Sequence, residues 1–206
     1  VKPNNGITRA EVATIFFRLL KDDVRDGNLT KNNNFTDVKD SNWFCSAVST
    51  LSAMGIITGY EDGTFKPDGS ITRAEFAAIA ARFDKNGNNA DVGFTDILNH
   101  WAKGEINIAA NNGWILGYED GTFQPDKNIS RAEVMTLINR VLNRMPETTD
   151  DLLADMVKWP DNSDTGAWFY LAVQEATNSH YYDRKDNGYI KWTGLRENRD
   201  WTIYQK

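Results

Sequence analysis

The stretch Ile71-Thr72-Arg73-Ala74-Glu75 decides the fold, because the same five-residue motif occurs three times in the chain. The other copies are Ile7-Thr8-Arg9-Ala10-Glu11 and Ile129-Ser130-Arg131-Ala132-Glu133. Each copy opens a run whose apolar residues recur at helical spacing. The sequence therefore predicts three equivalent helices, over residues 8 to about 20, 72 to about 83 and 130 to about 143.

The hydroxyl residue and the glutamate of each copy form a capping-box pattern, in which two side chains bind backbone N–H groups at a helix start. The isoleucine before the cap and the apolar residue after the glutamate match a hydrophobic staple. Folding thus explains four of the five residues and leaves the arginine without a structural reason. We therefore look for function at Arg9, Arg73 and Arg131.

Composition excludes several classes of function. There are 23 Lys and Arg against 29 Asp and Glu, and the net charge of −6 argues against a generic nucleic-acid or anionic-membrane surface. No apolar run is long enough to cross a membrane, and the first residues do not show the basic-then-apolar pattern of a signal peptide. Because these residues read as the middle of a repeat, the missing pattern says little about export. A single cysteine, Cys45, excludes a disulfide framework and a cysteine-based metal cage.

Two long repeats align without a gap, each running through an Asp-containing entry, a Trp-led helix, a Gly stop, a short hairpin, a Pro loop and a capped helix. Trp43 matches Trp101 at the spacing that also aligns the hairpins, Gly59-Tyr60-Glu61-Asp62-Gly63-Thr64-Phe65 and Gly117-Tyr118-Glu119-Asp120-Gly121-Thr122-Phe123. The glycine that ends each Trp-led helix, Gly55 or Gly113, is predicted to be left-handed.

The two chain ends carry half-copies. Residues 1–7 align with residues 65–71, so the chain starts inside a repeat, and Asp161 and Trp168 begin a third Trp-led half with no capped helix after it. We predict a mainly α, closed pseudo-threefold unit in which the N-terminal capped helix completes the C-terminal half repeat. This single domain, 1–206, is divided into half repeat 1–34, repeats 35–93 and 94–147, half repeat 148–179 and a packed, extended aromatic tail, 180–206.

Four motifs in a fixed order resemble those of S-layer homology domains: Phe94-Thr95-Asp96, then His100-Trp101-Ala102, then the hairpin, then the Ile-Ser-Arg-Ala-Glu motif. The resemblance covers about residues 1–178. It implies a three-pronged pseudo-trimer that holds exported proteins at the bacterial cell surface. The implied partner is secondary cell-wall polysaccharide, often pyruvylated, bound in grooves between repeats. The third groove departs from the pattern, because the first capped helix has no hairpin before it and the third Trp-led half has none after it.

Two interpretations are open for the arginines. In the first turn of a helix, free N–H groups and the helix dipole favour an anion, and a guanidinium matches the carboxylate of a pyruvyl ketal. The alternative is a salt bridge from each arginine to Asp37, Asp96 or Asp161.

The remaining candidates also have two interpretations each. The tryptophans either stack on sugar faces or pack in the core, and the aspartates either bind sugar hydroxyls or cap the Trp-led helices. The hairpin glycines serve turn geometry or let a sugar approach the backbone. The predicted polysaccharide-binding set is Arg9, Arg73, Arg131, Trp43, Trp101, Trp168, Asp37, Asp96, Asp161, Thr72, Ser130, Gly59 and Gly117.

Catalytic and metal sites are not indicated. His100 and His180 accompany no nucleophile motif, and residues 84–88 lack the glycine position and closing glutamate of an EF-hand loop, so we predict no metal and no cofactor. Three similar arginine sites favour multivalent binding over catalysis. The predicted function is non-covalent anchoring to an anionic wall polysaccharide, and the alternatives are a protein–protein assembly module of a surface lattice or a wall-active glycoside hydrolase.

Overall fold

Three helices of the computed structural model begin at the repeated motif. The model describes residues 1–83 and 87–205, so the part of the predicted loop at 84–86 and the last residue of the tail lie outside the described residues. The capped helices are α1 (Arg9–Leu19), α4 (Arg73–Ala81) and α6 (Arg131–Val141). The Trp-led helices are α3 (Cys45–Ala53), α5 (Lys103–Asn111) and α7 (Tyr170–Thr177), and a short α2 (Asp22–Gly27) follows α1. The prediction of a mainly helical fold is confirmed.

The capping boxes form as predicted. In α4, the backbone N–H of Glu75 donates to the Thr72 hydroxyl at 3.2 Å, and the N–H of Thr72 donates to the Glu75 carboxylate at 2.9 Å. The same two bonds close α1 and α6. Gly55 and Gly113 end α3 and α5 with φ of 72° and 70°, which confirms the predicted left-handed stops.

Each capped helix packs against the Trp-led helix that follows it in the chain, α1 against α3, α4 against α5 and α6 against α7. The buried side-chain amide of Asn139 on α6 donates to the carbonyl of Ala172 on α7 at 2.9 Å. Because each capped helix packs on the Trp-led helix that follows it, the pairing of α7 with α6 does not test whether α1 completes the repeat begun by α7, which stays a prediction. The segment before α1 is bound by Asp161 as Phe65 and Lys66 are bound by Asp37.

The pseudo-threefold ring is closed by backbone hydrogen bonds between the start of each capped helix and the loop that precedes the next capped helix. The backbone N–H of Arg9 donates to Gly69 O and that of Arg73 donates to Lys127 O, both at 2.9 Å. The ring closes where the N–H of Arg131 donates to Asn5 O at 2.9 Å. The inner faces of the capped helices meet in an apolar core, where the Phe16 and Phe76 rings lie 5.3 Å apart.

The predicted hairpins are tight turns. The N–H of Tyr60 donates to Thr64 O at 2.8 Å, with Gly63 at φ 78°, but none of the described strands includes this segment. Lys66 then adopts φ 55° and directs the chain away before a ladder can form. Gly121 and Gln124 repeat these angles in the second turn.

The tail is extended, as predicted, but only part of it is packed: Trp192 is buried, whereas Tyr181, Tyr182 and Tyr189 are exposed. Strand β1 (His180–Arg184) pairs antiparallel with β2 (Ile190–Leu195), with an irregularity between Tyr181 and Tyr182. Residues 196–205, which we name the arm, continue from this hairpin to α1 and α2. Among the described residues, the helices are too short or too polar to span a bilayer.

Candidate functional site

The motif arginines connect consecutive repeats in a ring of ion pairs. The Nη1–Oε1 distances are 2.6 Å for Arg9–Glu75, 3.1 Å for Arg73–Glu133 and 2.7 Å for Arg131–Glu11. One oxygen of each glutamate closes its own capping box, and the other accepts from the arginine of the neighbouring repeat. The interpretation that the arginine has no structural role is wrong. The alternative of a bridge to the entry aspartates is also wrong, because the partner is the motif glutamate.

The same guanidinium groups also support the turns. Nε of Arg9 donates to Phe65 O at 2.8 Å, and its Nη2 donates to Thr58 O at 3.0 Å. The group lies over the rings of Tyr60 and Phe65, with centroids at 4.7 and 4.8 Å. Arg73 repeats these contacts in the next repeat. Arg9 and Arg73 each use three of their five N–H donors in these contacts and so hold neighbouring repeats together.

The helix starts do not form open anion sites. In α1 the N–H groups of Arg9 and Ala10 donate to Gly69 O and Pro67 O, and that of Glu11 donates to the Thr8 hydroxyl. The starts of α4 and α6 are satisfied in the same way by the next loop of the ring. The donors that a helix start usually offers to an anion are therefore occupied by the protein itself.

The entry aspartates bind the backbone of the loops that follow the tight turns, where Lys66 and Gln124 have positive φ. The carboxylate of Asp37 accepts from the backbone N–H groups of Phe65 and Lys66, both at 2.8 Å. Asp96 accepts in the same way from Phe123 and Gln124, and Asp161 accepts from the amino terminus and from Lys2. The prediction that they cap the Trp-led helices is wrong. Those helices begin later in the chain. Both oxygens of Asp37 and of Asp96 are engaged by a segment roughly thirty residues away, and one oxygen of Asp161 is engaged by the start of the chain.

The repeat tryptophans are exposed. Trp43, Trp101 and Trp168 are 46%, 61% and 67% accessible, so the core interpretation is wrong for all three. Trp43 and Trp168 each lie edge-on to the following phenylalanine, at 5.3 Å between centroids. Large indole surfaces held in solvent are candidates for stacking on a ligand.

Two of the grooves between repeats have equivalent linings. Groove A, with a volume of about 450 Å³, runs along α4 and is lined by Arg9, Gly59, Tyr60, Thr72, Glu75, Arg82, Trp101 and Asp126. Groove B, whose inner part has a volume of about 230 Å³, runs along α6 and is lined by Arg73, Tyr118, Glu133, Arg140 and Trp168. Its outer part adds Asn4, Lys127 and Ser130. Each groove thus joins a motif ion pair to an exposed tryptophan from the following Trp-led half.

Six of the predicted site residues line neither groove A nor groove B. Arg131, Asp37, Asp96, Asp161 and Gly117 belong to the structural contacts of the ring and turns. Trp43 faces the arm. At Gly59 an added Cβ would lie 2.4 Å from Phe35 Cε1 and 2.6 Å from Thr64 O. The space that this glycine leaves free is therefore filled by the protein's own atoms and not left for a sugar.

A second set of arginines was missed by the sequence reasoning. Arg18, Arg82 and Arg140 stand at the same place in the three capped helices, and this shared spacing from the motif arginine was the available signal. Nη1 of Arg82 donates to Ile56 O at 2.9 Å. The guanidinium of Arg140 has no hydrogen-bond or ion-pair partner within the described parts of the chain, and burial lowers its pKa.

Charge distinguishes the two grooves. In groove A the carboxylate of Asp126, which lies 3.3 Å from His100 Nε2, adds negative charge. The corresponding residue of groove B is Asn4, and Lys127 lies beside it. Since Arg73 is neutralised by Glu133, Arg140 and Lys127 leave groove B with positive charge. Among the described residues, no three His, Cys, Asp or Glu side chains are grouped to hold a metal ion.

Comparison with known proteins identifies the repeats. The family model described as "S-layer homology domain" matches residues 34–77 and 93–135. A cellulosome-anchoring protein of Acetivibrio thermocellus is 38% identical over 193 residues, which is 91% of this chain and 42% of that protein.

Two further relatives show the range of proteins that contain such a segment. S-layer protein EA1 of Bacillus anthracis is 32% identical over 66% of this chain and 16% of its own length. An amylopullulanase of Thermoanaerobacterium thermosulfurigenes is 34% identical over 69% of this chain and 8% of its own length. The chain therefore spans less than half of each of these relatives.

Proposed function

We propose a function from one premise: this chain belongs to the S-layer homology domain family and therefore acts at the outer surface of the cell. Its general role is anchoring at the cell wall. The specific proposal is that the chain holds an exported protein there without a covalent bond, by binding an anionic secondary cell-wall polysaccharide, pyruvylated on its sugars. The domain assignment 1–206 belongs to this proposal, because the ion-pair ring makes the repeats one unit.

The proposed class of ligand rests on one observation. Groove B places the guanidinium of Arg140, which has no ion-pair partner among the described residues, beside the exposed indole of Trp168. Arg140 offers planar donors that match a carboxylate, and Trp168 offers an apolar face to a sugar ring. A pyruvylated sugar has both features in one residue. Groove A repeats the arrangement with Arg82 and Trp101, in a less positive setting.

The roles of the predicted residues change accordingly. We assign the sugar contacts to Trp101 and Trp168 and the anion contacts to Arg82 and Arg140. Arg9, Arg73 and the hydroxyls of Thr72 and Ser130 form the floors of grooves A and B, where their own contacts hold them in place. The entry aspartates and Arg131 act through the fold.

Binding is favoured over hydrolysis by the state of the groove carboxylates. Both oxygens of Glu75 are engaged, one by Arg9 and Tyr60 and the other by the helix start. Glu133 is held in the same way. A carboxylate that acts as a nucleophile needs a free oxygen, and both oxygens of each of these two carboxylates are engaged. We therefore propose that this chain is a binding module and not the catalytic part of an enzyme.

The test uses purified wall polysaccharide, intact and with pyruvate removed by mild acid. Arg140→Gln should weaken binding of the intact polymer about 10- to 100-fold, because a charge-assisted contact contributes about 1.5–3 kcal/mol. Arg140→Gln should have no further effect on the pyruvate-free polymer, which the parent chain should already bind weakly. Lys191→Gln, on the exposed face of β2, is the matched control.

Three results would contradict parts of this proposal. Undiminished binding by Arg140→Gln removes the anion assignment in groove B. Equal binding of intact and pyruvate-free polymer removes pyruvate as the recognised group. Release of new reducing ends from the polymer would favour the hydrolase, and binding only to other surface proteins would favour the assembly module.

A further inference from the structure

The third inter-repeat groove differs from grooves A and B in what covers it. It runs along α1 at Arg18, which lines two cavities. One, of about 350 Å³ between α1 and α6, is lined by Ile15, Arg18, Asn139, His180, Arg196 and Trp201, and the other, of about 10 Å³, lies beside Trp43. Unlike grooves A and B, neither cavity includes a motif ion pair in its lining. Arg18 stands where Arg82 and Arg140 stand in the other grooves. Arg196 and Trp201 belong to the arm, so a segment of the chain itself forms one wall.

The arm is attached to α2 by polar contacts. Nη1 of Arg199 lies 2.7 Å from Asp22 Oδ1 in an ion pair. The hydroxyl of Tyr204 donates to Asp26 Oδ1 at 2.8 Å. These contacts join residues almost the whole chain apart, so they fix where the end of the arm lies.

Aromatic contacts complete the attachment. The Trp201 ring lies 5.3 Å from the guanidinium carbon of Arg18 and 5.2 Å from that of the fully buried Arg25. Tyr204 meets the Phe17 ring edge-on at 5.4 Å. Cation–π contacts of this kind add to the stability of a docked aromatic segment. The contact with Trp201 also covers one face of the Arg18 guanidinium.

The arm also approaches the tryptophan of the third groove. Trp43 and Ala47 face Trp201 and Tyr204 across a gap of only about 10 Å³, which is no more than one water molecule needs. Trp43 is 46% accessible, against 61% for Trp101 and 67% for Trp168. Of the two groups that correspond to the glycan contacts of grooves A and B, Arg18 is therefore contacted by the arm and Trp43 faces it across a narrow gap.

We infer that the third groove is a peptide-binding groove whose occupant is this chain's own arm, residues 196–205. The chain then offers grooves A and B to the glycan, and the arm and a glycan compete for Arg18 and Trp43. Release of the arm exposes a third site. The competition rests on the proposed function, whereas the docking of the arm does not.

The first measurement needs no ligand. Oxidative footprinting with mass spectrometry compares the labelling rates of Trp43, Trp101 and Trp168 within one molecule. In the parent, Trp43 should react more slowly than the other two. Arg199→Ala with Tyr204→Phe, which removes the polar contacts but keeps Trp201, should raise the Trp43 rate at least twofold. Trp201→Ala with Tyr204→Ala should bring it to the rate of Trp101.

The second measurement counts sites. Calorimetric titration with a short pyruvylated fragment of the wall polysaccharide should give two sites per parent chain and three per arm-release variant. Arg18→Gln in the arm-release background should return the number to two. Tyr181→Ala, exposed on β1, is the control and should change neither measurement.

Each outcome decides a separate point. A Trp43 rate equal to that of Trp101 in the parent overturns the docking of the arm. A released arm with two sites still present overturns the competition. No binding by any variant overturns the proposed function, while the footprinting still decides whether the arm is docked. Near-ultraviolet circular dichroism checks that the variants are folded.

Discussion

Nη1 of Arg9 lies 2.6 Å from Oε1 of Glu75, although the two residues belong to different repeats. Both side chains are mostly buried, with 8% and 18% of their surface accessible. Two equivalent pairs complete a ring that ends where it began. A charge removed from such a pair leaves its partner buried and unpaired, so the ring makes the three repeats depend on one another.

The ion-pair ring predicts strong coupling between Arg9 and Glu75. A double-mutant cycle with Arg9→Ala and Glu75→Ala, measured by urea unfolding, should give a coupling free energy of about 1–3 kcal/mol. The exposed pair Lys66–Asp62, 3.5 Å apart, is the control, and its coupling should be below about 0.5 kcal/mol. Equal coupling for the two pairs would mean that the ring contributes little to stability.

The turn glycines predict opposite effects of the same substitution at two sites. Gly59→Ala should lower the unfolding free energy by about 1–3 kcal/mol, because the new Cβ meets Phe35 and a backbone carbonyl below 3 Å. Gly104→Ala lies in α5 with nothing within 4 Å and should raise it by about 0.5–1 kcal/mol. Denaturant midpoints measure both, and a neutral Gly59→Ala would contradict the close packing.

From the contacts of the entry aspartates we predict that replacing one of them lowers the unfolding free energy and leaves the charge of grooves A and B unchanged. Asp96→Asn keeps one acceptor but gives up a charge-assisted bond to Phe123 or Gln124, which should cost about 1–2 kcal/mol. Glu119→Gln, nearby and exposed, should change the unfolding free energy by less than about 0.5 kcal/mol. An unchanged thermal midpoint for Asp96→Asn would refute the fastening role.

Glu11 predicts a pH-dependent contribution to stability. Burial acts to raise the pKa of its carboxyl, but the N–H of Thr8 and the charge of Arg131 outweigh it and lower the pKa below its ordinary value near 4.5. The contribution is therefore present above pH 4.5 and disappears as the pH falls through the lower, folded-state pKa. Glu11→Gln should be less stable than the parent by about 0.5–1 kcal/mol at pH 7, after allowance for solvent screening.

Unfolding curves of both proteins between pH 2 and 8 measure this difference, which should vanish at the acid end. A constant difference over the whole range would show that the bond geometry, and not the ionised carboxylate, is responsible.

The groove tryptophans predict a change in affinity that is separate from stability. Trp168→Ala should lower the affinity for the polysaccharide about 10-fold and leave the unfolding free energy within about 0.5 kcal/mol, because the ring is 67% accessible. Tyr181→Ala, equally exposed but outside the grooves, should change neither. A stability loss above 2 kcal/mol would indicate that Trp168 is a packing residue.

Local structure was predictable because its causes lie close together in sequence. The capping boxes need only residues three apart, and the left-handed ends at Gly55 and Gly113 need only the missing side chain. The helix bounds follow from these signals. The regular spacing of the repeats also indicated a closed ring correctly.

The binding residues were predicted less well, because a sequence motif does not show whether a side chain is buried or which residue it contacts. The same sequence reasoning divided Trp43 evenly between core and surface, and the structure places it at the surface. Arg140 was overlooked, although its position repeats with the motif, because only the structure shows that it has an unfilled groove beside it.

The sequence by itself determined the three helix starts, their caps, their order and the family to which the repeats belong. Only the tertiary structure decided what Arg73 and Asp96 do, because their partners lie 60 and 27 residues away and are brought together by ring closure. The free N–H groups of an isolated helix start would attract an anion. In the folded ring, neighbouring carbonyls and carboxylates satisfy those donors, and the available positive charge lies at Arg140 instead.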